Sequence, residues 1–269
     1  MKIEFVKYSA TGNDFIVIDN RNNVFDDISV EKVQKICTRR SGVGADGILL
    51  LEDSLKADFL MRIINADGSE VSMCGNGGRA IIHYAHNKLH LKAGKDYLFE
   101  TSNGLYAGSL DCDGVRLRMD ELYDVGKISL VPEFKCLHSL YLNTGVPHAV
   151  FEIDDDLDGF DLIRWGKKIG HEIMFANGAN VNLCKIIAEK KIALRTYERG
   201  VEDETFSCGT GAMAAAVMLN KFYGIYGEIE ILVKGGTLKV ILSKDLSERF
   251  LCGKVEKIFE GLILICEEN

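Results

Sequence analysis

The chain has 269 residues, of which 40 are acidic and 32 basic, so its formal net charge is −8 with histidine neutral. Hydrophobic residues make up 47%, a fraction that supports a folded core and excludes a disordered chain. The acidic balance argues against a protein that binds nucleic acid, because phosphate backbones need a basic face.

The first half of the chain predicts strands interrupted by two helices. Residues 29–40 have helical spacing, because Val30, Val33 and Ile36 recur on one face. A second helix is predicted over 78–91 and opens directly from the sequence CGNG. The strand candidates lie at 3–6, 15–19, 48–52 and 59–64.

The second half predicts the same succession of elements. A strand at 149–153 is followed by a helix near 160–173 and by strands at 181–187 and 191–197. A helix over 212–222 opens from the sequence CGTG, and later strand candidates lie at 229–233, 237–242 and 261–265. Because strands outnumber helices, the predicted fold class is α+β, or mixed α/β.

No segment predicts a membrane span or an export signal. The longest apolar run, residues 212–219, is far shorter than the about 20 residues of a spanning helix. The N-terminal sequence MKIEFVKYSATGNDF has no apolar run followed by a small-residue cleavage site. We therefore expect a cytoplasmic protein without a membrane partner.

The eight cysteines are spaced too widely for a zinc knuckle or a thioredoxin motif. The closest two, Cys252 and Cys266, are 14 residues apart, so no CxxC occurs and no metal site is predicted. Reduced thiols that pack as small hydrophobic side chains are the expectation for most of them. These packing cysteines are Cys37, Cys112, Cys136, Cys184, Cys252 and Cys266.

The two halves of the chain resemble each other. The sequence RIINADGSEVSMCGNGGRA, from Arg62, is similar to RTYERGVEDETFSCGTGAMA, from Arg195. Cys74 and Cys208 are 134 residues apart, and two further pairs keep this order: Thr11-Gly12 with Thr144-Gly145, and Gly44-Ala45-Asp46 with Gly178-Ala179-Asn180. The pattern predicts two homologous domains. Chance recurrence of glycine turns is the alternative.

The glycine-rich sequence at 42–47 matches GxGxxG but in the wrong context. A dinucleotide site needs a strand before the glycines and a helix after them, whereas here a helix precedes and a strand follows. The chain also lacks the phosphate-binding sequence GxxxxGK[ST] and the nucleophile sequence GxSxG. These nucleotide and hydrolase sites are therefore not predicted.

Each CGxG sequence places a cysteine immediately before a helix. The free N–H groups and the helix dipole there favour an anion by up to about 2 kcal/mol, so a thiol pKa is expected to fall from ~8.5 to roughly 7. The same N–H groups can hold a carboxylate. When only one CGxG sequence occurs, the simpler interpretation is a helix cap next to a buried cysteine without a chemical role.

Two such thiols at symmetric positions favour a two-base racemase. If the halves face each other, one thiolate removes the α-proton of an amino acid and the opposite thiol protonates the other face. Preorganised N–H donors stabilise the charge that develops on the carboxylate, so no pyridoxal cofactor is expected. Two other hypotheses stay open: a non-catalytic protein that binds an anion, and a thiol redox enzyme that uses Cys74 and Cys208.

Over essentially its full length the chain resembles the diaminopimelate epimerase family. The matching sequences are TGNDFIVID, RRSGVGADG, NADGSEVSMCGNGGRA, TGVPHAV, GANVNL and YERGVEDETFSCGTGA, in the family's order. The resemblance implies a cofactor-independent isomerase of LL- and meso-diaminopimelate, in lysine and peptidoglycan-precursor synthesis. The cysteine motifs distinguish the chain from the related proline racemases.

The resemblance also implies a set of site residues. Cys74 and Cys208 would be the acid/base thiols, and Arg199 would hold the distal carboxylate, for which its planar fork is suited. His148 and Glu198 would flank the reacting centre. The remaining substrate-binding positions are Asn13, Asn65, Gly75, Asn76, Asn180, Gly209 and Thr210.

The fold implied by the resemblance is a pair of pseudo-symmetric domains from an internal duplication. Each would be a curved sheet or barrel around a central helix, with the active site in the cleft between them. Residues 1–120 with 257–269 would form the N-terminal domain, and 121–256 the C-terminal domain. A homodimer is expected because closed two-fold dimers are the commonest soluble assemblies.

Two positions depart from the common family pattern. Gly47 stands where many members have Gln, and Val146 stands where many have an Asn that contacts substrate. A lost polar partner would weaken or change recognition of the distal group. A racemase of the same fold that acts on another amino acid therefore stays open.

Overall fold

The computed structural model describes residues 2–26, 28–92, 94–111, 114–128, 134–171 and 178–265. The chain divides into two compact units. The first unit comprises Met1–Leu117 with Gly253–Asn269, and the second comprises Arg118–Cys252.

The first unit has eight strands and two helices before the chain leaves it. In chain order they are β1 (Lys2–Ala10), β2 (Asn13–Asp19), α1 (Val30–Cys37), β3 (Gly47–Glu52), β4 (Phe59–Asn65), β5 (Glu70–Val71), α2 (Gly75–Lys88), β6 (Tyr97–Thr101), β7 (Gly104–Asp111) and β8 (Gly114–Arg118).

The second unit repeats this order of elements. It contains β9 (Tyr123–Gly126), β10 (His138–Asn143), β11 (Pro147–Glu152), α3 (Leu162–Gly170), β12 (Asn180–Ala188), β13 (Lys191–Glu198), β14 (Asp203–Thr205), α4 (Gly209–Tyr223), β15 (Gly227–Val233), β16 (Gly236–Leu242) and β17 (Arg249–Gly253). The last strand, β18 (Glu256–Leu264), returns to the first unit and pairs antiparallel with β1.

Strand pairing follows one scheme in both units. β1 and β2 form a hairpin, as do β10 and β11, and a helix then connects to a parallel neighbour, β3 or β12. The next strand, β4 or β13, pairs antiparallel with that neighbour. Such a parallel pair needs a crossover connection, which α1 and α3 provide.

The register of these ladders relates the two units residue by residue. In the first unit Val17 lies opposite Leu49, and Leu49 lies opposite Ile63. In the second unit Val150 lies opposite Asn182, and Asn182 lies opposite Thr196. The prediction of two homologous halves and a mixed α/β fold is confirmed.

One helix of each unit lies among the strands. α2 contacts β1, β2, β3, β4 and β7, and α4 contacts β10, β11, β12, β13 and β16. α4 is suited to this place because residues 212–219 are all apolar and fully buried, as expected of a helix that is hydrophobic all round. α1 and α3 are amphipathic and bury only one face.

Several predicted boundaries need correction. α1 ends at Cys37 and not at Arg40, because Thr38 is extended and Arg40 has a φ of 77°. α2 and α4 begin at Gly75 and Gly209, three residues earlier than predicted, because Cys74 and Cys208 are their N-caps. The strands that the sequence did not predict are β5 to β10, β14 and β17.

The described cysteines Cys37, Cys74, Cys136, Cys184, Cys208 and Cys252 are free thiols. Of the expected packing cysteines, Cys37 and Cys184 are buried, whereas Cys136 and Cys252 are partly exposed. Cys112 and Cys266 lie outside the described residues. Across the described ranges, no helix combines the length and the apolar character needed to cross a membrane.

Candidate active site

The first candidate thiol, Cys74, is the N-cap of α2. Its backbone is extended, and its Sγ accepts a hydrogen bond from the N–H of Gly77 at 3.4 Å. Gly75 and Asn76 form the first turn, where helix N–H groups have no intrahelical partner. The turn therefore offers donors to an anion at the same place as the thiol.

Asn13 lies beside this thiol with its side-chain amide in a fixed orientation. Its Nδ2 donates to Asp46 Oδ2 at 2.6 Å, so its Oδ1 faces the other way. The Oδ1 lies 3.9 Å from Cys74 Sγ and accepts from Asn76 Nδ2 at 3.5 Å. The structure thus brings together three of the predicted site residues of the first unit.

A charged network holds Asp46 behind Asn13. Arg39 donates to both oxygens of Asp14, at 2.6 and 3.1 Å, and to Asp46 Oδ1 at 2.9 Å. Lys7, which is buried, forms an ion pair with Asp14 at 2.6 Å. Burial raises the pKa of Asp14, but Arg39 and Lys7 lower it further. The Asp14 carboxylate therefore stays ionised at neutral pH and keeps its contacts with both cations.

Asn65, another predicted residue of this unit, ends β4 and lies in a turn. Its Nδ2 donates to Ser69 Oγ at 3.3 Å, and its N–H donates to the Ser69 carbonyl at 2.8 Å. Asp67 caps the same turn by accepting from the Ser69 N–H at 2.8 Å. The contacts found for Asn65 are therefore those of a turn residue.

The second candidate thiol, Cys208, is the N-cap of α4 and is more deeply buried. Its Sγ accepts from the Gly211 N–H at 3.4 Å and lies 3.4 Å from Thr210 Oγ1. The carbonyl of Thr210 accepts a hydrogen bond from Thr144 Oγ1 at 3.1 Å, which fixes the first turn. Cys208 is only 6% exposed.

The pKa of the Cys208 thiol is raised well above its ordinary value. Burial is the main cause, and the neighbouring Glu198 carboxylate, as a charge and as a hydrogen-bond partner, adds to it. Glu198 is itself positioned by Thr205, whose hydroxyl donates to Oε1 at 2.7 Å. The lowered pKa expected from the helix end is therefore wrong for Cys208, because desolvation and a nearby anion outweigh the helix N–H groups.

Asn180 and Arg199 lie next to each other at the start of β12 and the end of β13. The Asn180 Oδ1 accepts the backbone N–H of Arg199 at 2.9 Å. The Arg199 guanidinium donates to the Gly178 carbonyl at 3.3 Å. A Cβ on Gly178 would lie 2.9 Å from Arg199 Cδ, so the missing side chain leaves room for the arginine stem.

His148 is fully buried in β11, next to Asn180 in the parallel ladder. Burial and then the positive charge of Arg199 lower its pKa to about 3. The imidazole is therefore neutral at physiological pH. The structure thus groups Asn180, His148 and Arg199 in one part of the second unit, and Glu198 with Cys208 and Thr210 at the N-terminus of α4.

Comparison with known proteins assigns the chain to a family. The model of the family described as "Diaminopimelate epimerase" matches residues 5–131 and 140–258. The chain belongs to the diaminopimelate epimerase family, whose members are isomerases. The diaminopimelate epimerase of Chlorobaculum tepidum is 40% identical over 261 residues, which cover 96% of this chain and 100% of that protein. That of Flavobacterium psychrophilum is 38% identical over 269 residues, with 97% and 100% covered.

Solved structures share the fold at low sequence identity. A Bacillus anthracis phenazine biosynthesis protein of the PhzF family has a TM-score of 0.77 and 17% identity, with 98% of this chain and 100% of that chain covered. A hydroxyproline epimerase from Agrobacterium vitis, with bound trans-4-OH-L-proline, has a TM-score of 0.71 and 13% identity, with 97% and 92% covered. These likenesses show the fold alone.

The two departures from the common family pattern differ in their structural setting. A Cβ on Gly47 would lie 2.8 Å from the Ile64 carbonyl oxygen, so a glutamine there would require the neighbouring strand to move. Val146 lies in the β10–β11 turn, where its carbonyl accepts from the Thr144 N–H at 3.1 Å. Gly47 is therefore explained by close packing, whereas Val146 supplies no polar side chain to its surroundings.

Several polar residues that surround the candidate site residues were not predicted from the sequence. These residues are Arg39, Asp46, Asn182 and Thr196. In the ladders, Asn182 and Thr196 occupy the places of Leu49 and Ile63. A residue-by-residue alignment of the two halves would have shown polar residues where the other half is apolar. Across the described ranges, no group of three His, Cys, Asp or Glu side chains is arranged to hold a metal ion.

Proposed function

We propose that the protein interconverts LL- and meso-diaminopimelate by proton transfer at the α-carbon, with Cys74 and Cys208 as the two acid/base groups. The observation that carries the proposal is that two thiols cap equivalent helices in two homologous units. Membership of the family supports it, as do relatives of nearly equal length that are named for this activity.

The surroundings of the thiols suggest different resting states. The raised pKa of Cys208 keeps its proton on sulfur, so we assign Cys208 as the proton donor in the resting enzyme. Two-base epimerisation then requires Cys74 to be the thiolate that removes the α-proton. The product leaves the thiols in exchanged states, and proton exchange with solvent restores them before the next turnover in the same direction.

The helix N–H groups are proposed to bind the substrate's α-carboxylate. Gly75 and Asn76 of α2 and Gly209 and Thr210 of α4 supply these donors. They stabilise the negative charge that builds on the carboxylate as the α-proton leaves. The chemistry therefore requires no cofactor.

The remaining predicted residues are assigned to recognition of the substrate. Arg199 is proposed to hold the distal carboxylate, because a guanidinium fork matches a planar carboxylate. Asn13, Asn65 and Asn180 are proposed to contact the ammonium and carboxylate groups, since an amide both donates and accepts. His148 and Glu198 are proposed to flank the reacting centre.

The decisive experiment is proton NMR of LL-diaminopimelate with the reduced enzyme in D₂O. The expected result is loss of the α-proton signal and appearance of the meso isomer. Cys74→Ala and Cys208→Ala should each lower the rate by at least about 10²-fold, as expected for loss of a general acid or base. Cys252→Ala, which removes a free thiol without a helix N-terminus, should keep full activity.

The other outcomes separate the alternatives. Tight binding without hydrogen exchange at any α-carbon would indicate a protein that only binds an anion. Activity that rises on oxidation would indicate a redox enzyme. Full activity of either alanine variant would contradict the two-thiol assignment.

A racemase of the same fold with another amino-acid substrate is the second candidate. The observation that favours it is Val146, an apolar side chain where many family members have a substrate-contacting Asn. Turnover of a panel of L- and D-amino acids would decide between them. A substrate with an apolar distal group that reacts faster than LL-diaminopimelate would favour this candidate.

We further propose a homodimer that acts in the cytoplasm, in lysine and peptidoglycan-precursor synthesis. Strand β18 exposes several large apolar side chains, as interfaces do: Ile258, Phe259, Leu262 and Leu264. Free thiols, of which the mechanism needs two, persist in a reducing compartment. Sedimentation equilibrium of the whole protein tests the dimer, and cell fractionation tests the location.

A further inference from the structure

A buried polar network lies under the first turn of α4. Thr196 Oγ1 donates to Asn182 Oδ1 at 2.9 Å, and Asn182 Nδ2 lies 2.9 Å from His148 Nδ1. All three side chains are at most 3% exposed. The network borders the helix that Cys208 caps, since a Cβ on Gly211 would lie 2.4 Å from Asn182 Oδ1 and 3.3 Å from Cys208 Cβ.

The contacts of Asn182 fix the orientation of its amide. The atom facing His148 also lies 3.2 Å from the Ala149 carbonyl and 3.4 Å from the Asn180 carbonyl. Carbonyl oxygens only accept hydrogen bonds, so that atom is the NH₂ nitrogen. The Thr196 hydroxyl, on the opposite side, donates to the amide oxygen.

The orientation of the amide in turn fixes the tautomer of His148. Because Asn182 donates to Nδ1, that ring nitrogen is the acceptor, and a neutral imidazole then carries its proton on Nε2. Nε2 is buried and has no hydrogen-bond partner among the described residues. A buried N–H without an acceptor lowers stability, so its presence indicates a partner that arrives with the ligand.

The first unit shows that this network is not needed for the fold. At the equivalent ladder positions it has Phe15, Leu49 and Ile63 in place of His148, Asn182 and Thr196. These apolar side chains are equally buried, and Leu49 and Phe15 lie next to the equivalent Gly77. A well-packed apolar set serves a core at least as well as a polar one.

We infer that Asn182, held by Thr196, is a positioning residue that fixes His148 as an Nε2–H donor to an anionic group of the bound substrate. The inference rests on the proposed function for the identity of that anionic group. The orientation of the ring and its tautomer rest on the protein's own contacts. Asn182 acts through His148 and has no assigned contact with substrate.

The first test reads the tautomer directly, by ¹⁵N NMR of protein labelled at histidine, with His148 assigned from the signal lost in His148→Phe. Wild type should show the Nε2–H form. Asn182→Asp should move the proton to Nδ1, because a carboxylate only accepts, and Asn182→Leu should give a mixture. A wild-type Nδ1–H signal, or no change in either variant, overturns the inference.

The second test is kinetic and uses LL-diaminopimelate. Asn182→Leu should lower kcat by about 10²-fold with little change in KM, the size found when one preorganised donor is lost. Thr196→Val should cause a smaller loss that Thr196→Ser restores. Thr101→Val, which removes a similarly buried hydroxyl from the first unit, is the matched control and should leave kcat unchanged.

A combined variant guards against simple unfolding. The triple substitution His148→Phe, Asn182→Leu and Thr196→Ile installs the first unit's residues in the second, so it should fold while activity is lost. A triple variant that folds and keeps the wild-type kcat would overturn the inference. Wild type with the Nε2–H tautomer but without epimerisation would instead contradict the proposed function and leave the positioning role standing.

Discussion

The two helices capped by a cysteine, α2 and α4, lie over different side chains in otherwise equivalent units. Under α2 the strands present Phe15, Leu49 and Ile63, and under α4 they present His148, Asn182 and Thr196. The ladders keep the same register in both. The duplicated backbone therefore accommodates either set, and we attribute the polar set to the proposed chemistry at the N-terminus of α4.

The two thiols also differ in their exposure and in the polar groups beside them. Cys74 is partly exposed beside the amide of Asn13, whereas Cys208 is buried beside the carboxylate of Glu198. Within the helices, Arg79 of α2 donates to Thr11 Oγ1 at 3.1 Å, and the residue at its place in α4 is Met213. Cys74 thus has an amide neighbour and Cys208 a carboxylate neighbour, which agrees with the proposed roles of base and acid.

The largest expected effect separates two equivalent glycines. A Cβ on Gly211 would lie 2.4 Å from Asn182 Oδ1, while one on Gly77 would lie 3.2 Å from the methyl Leu49 Cδ2. Gly211→Ala should therefore displace the network, lowering the free energy of unfolding by about 1–3 kcal/mol and kcat by more than about tenfold. Gly77→Ala should cause smaller decreases in the free energy of unfolding and in kcat. Urea titration and initial rates measure the pair.

Gly77→Ala is the matched control for Gly211→Ala. Both substitutions replace glycine by alanine at the same helix position, so the gain in helix propensity is the same for each. Equal losses of activity in the two variants would mean that the network under α4 has no special part in the reaction.

The sequence alone predicted the duplication, the two cysteine-capped helices and most of the central strands. These features depend on local signals: an apolar run, a glycine-rich helix start and a repeated motif. The helix starts were misplaced by three residues because a cysteine is an uncommon N-cap, so the three residues that follow Cys74 and Cys208 were left out of the predicted helices.

What the sequence did not predict depends on contacts distant in the chain. Burial and Glu198 set the pKa of Cys208, and neither is visible in the local motif that suggested a lowered value. Asn182 lies in the strand predicted at 181–187, and no local signal marks its amide as buried. The full burial of Asn182 follows from the strands that pack around it, where Thr196 is its ladder partner and His148 lies in the neighbouring strand.

The second effect concerns the reactivity of the two thiols. Cys74 should react with iodoacetamide at least about tenfold faster than Cys208 at pH 7.5, because a thiol reacts as its thiolate and access adds to this. The rate at Cys208 should still rise above pH 9, since its pKa is raised. Peptide mass spectrometry follows each cysteine, with the partly exposed Cys252 as internal reference. Cys208 reacting as fast as Cys74 would remove the proposed asymmetry.

The smallest expected effect is on the pH dependence of the free energy of unfolding, and it tests whether His148 is neutral in the folded protein. Its folded pKa of about 3 lies below the ordinary 6.5, so its contribution to stability is complete above pH 6.5 and is lost as pH falls toward 3. Between pH 7 and 5.5 this linkage lowers the free energy of unfolding by about 1 kcal/mol. His148→Phe, the first unit's residue, should abolish that slope whatever its effect at pH 7.

The single tryptophan, Trp165, lies in α3 of the second unit and reports urea unfolding there. The difference between wild type and variant isolates one proton, because the carboxylates that titrate nearby are common to both. Parallel pH dependence would mean that the pKa of His148 is the same in the folded and the unfolded protein. The imidazole would then gain a proton as pH falls below 6.5, and both ring nitrogens would be donors in that form, so that the donor at Nε2 would no longer depend on Asn182.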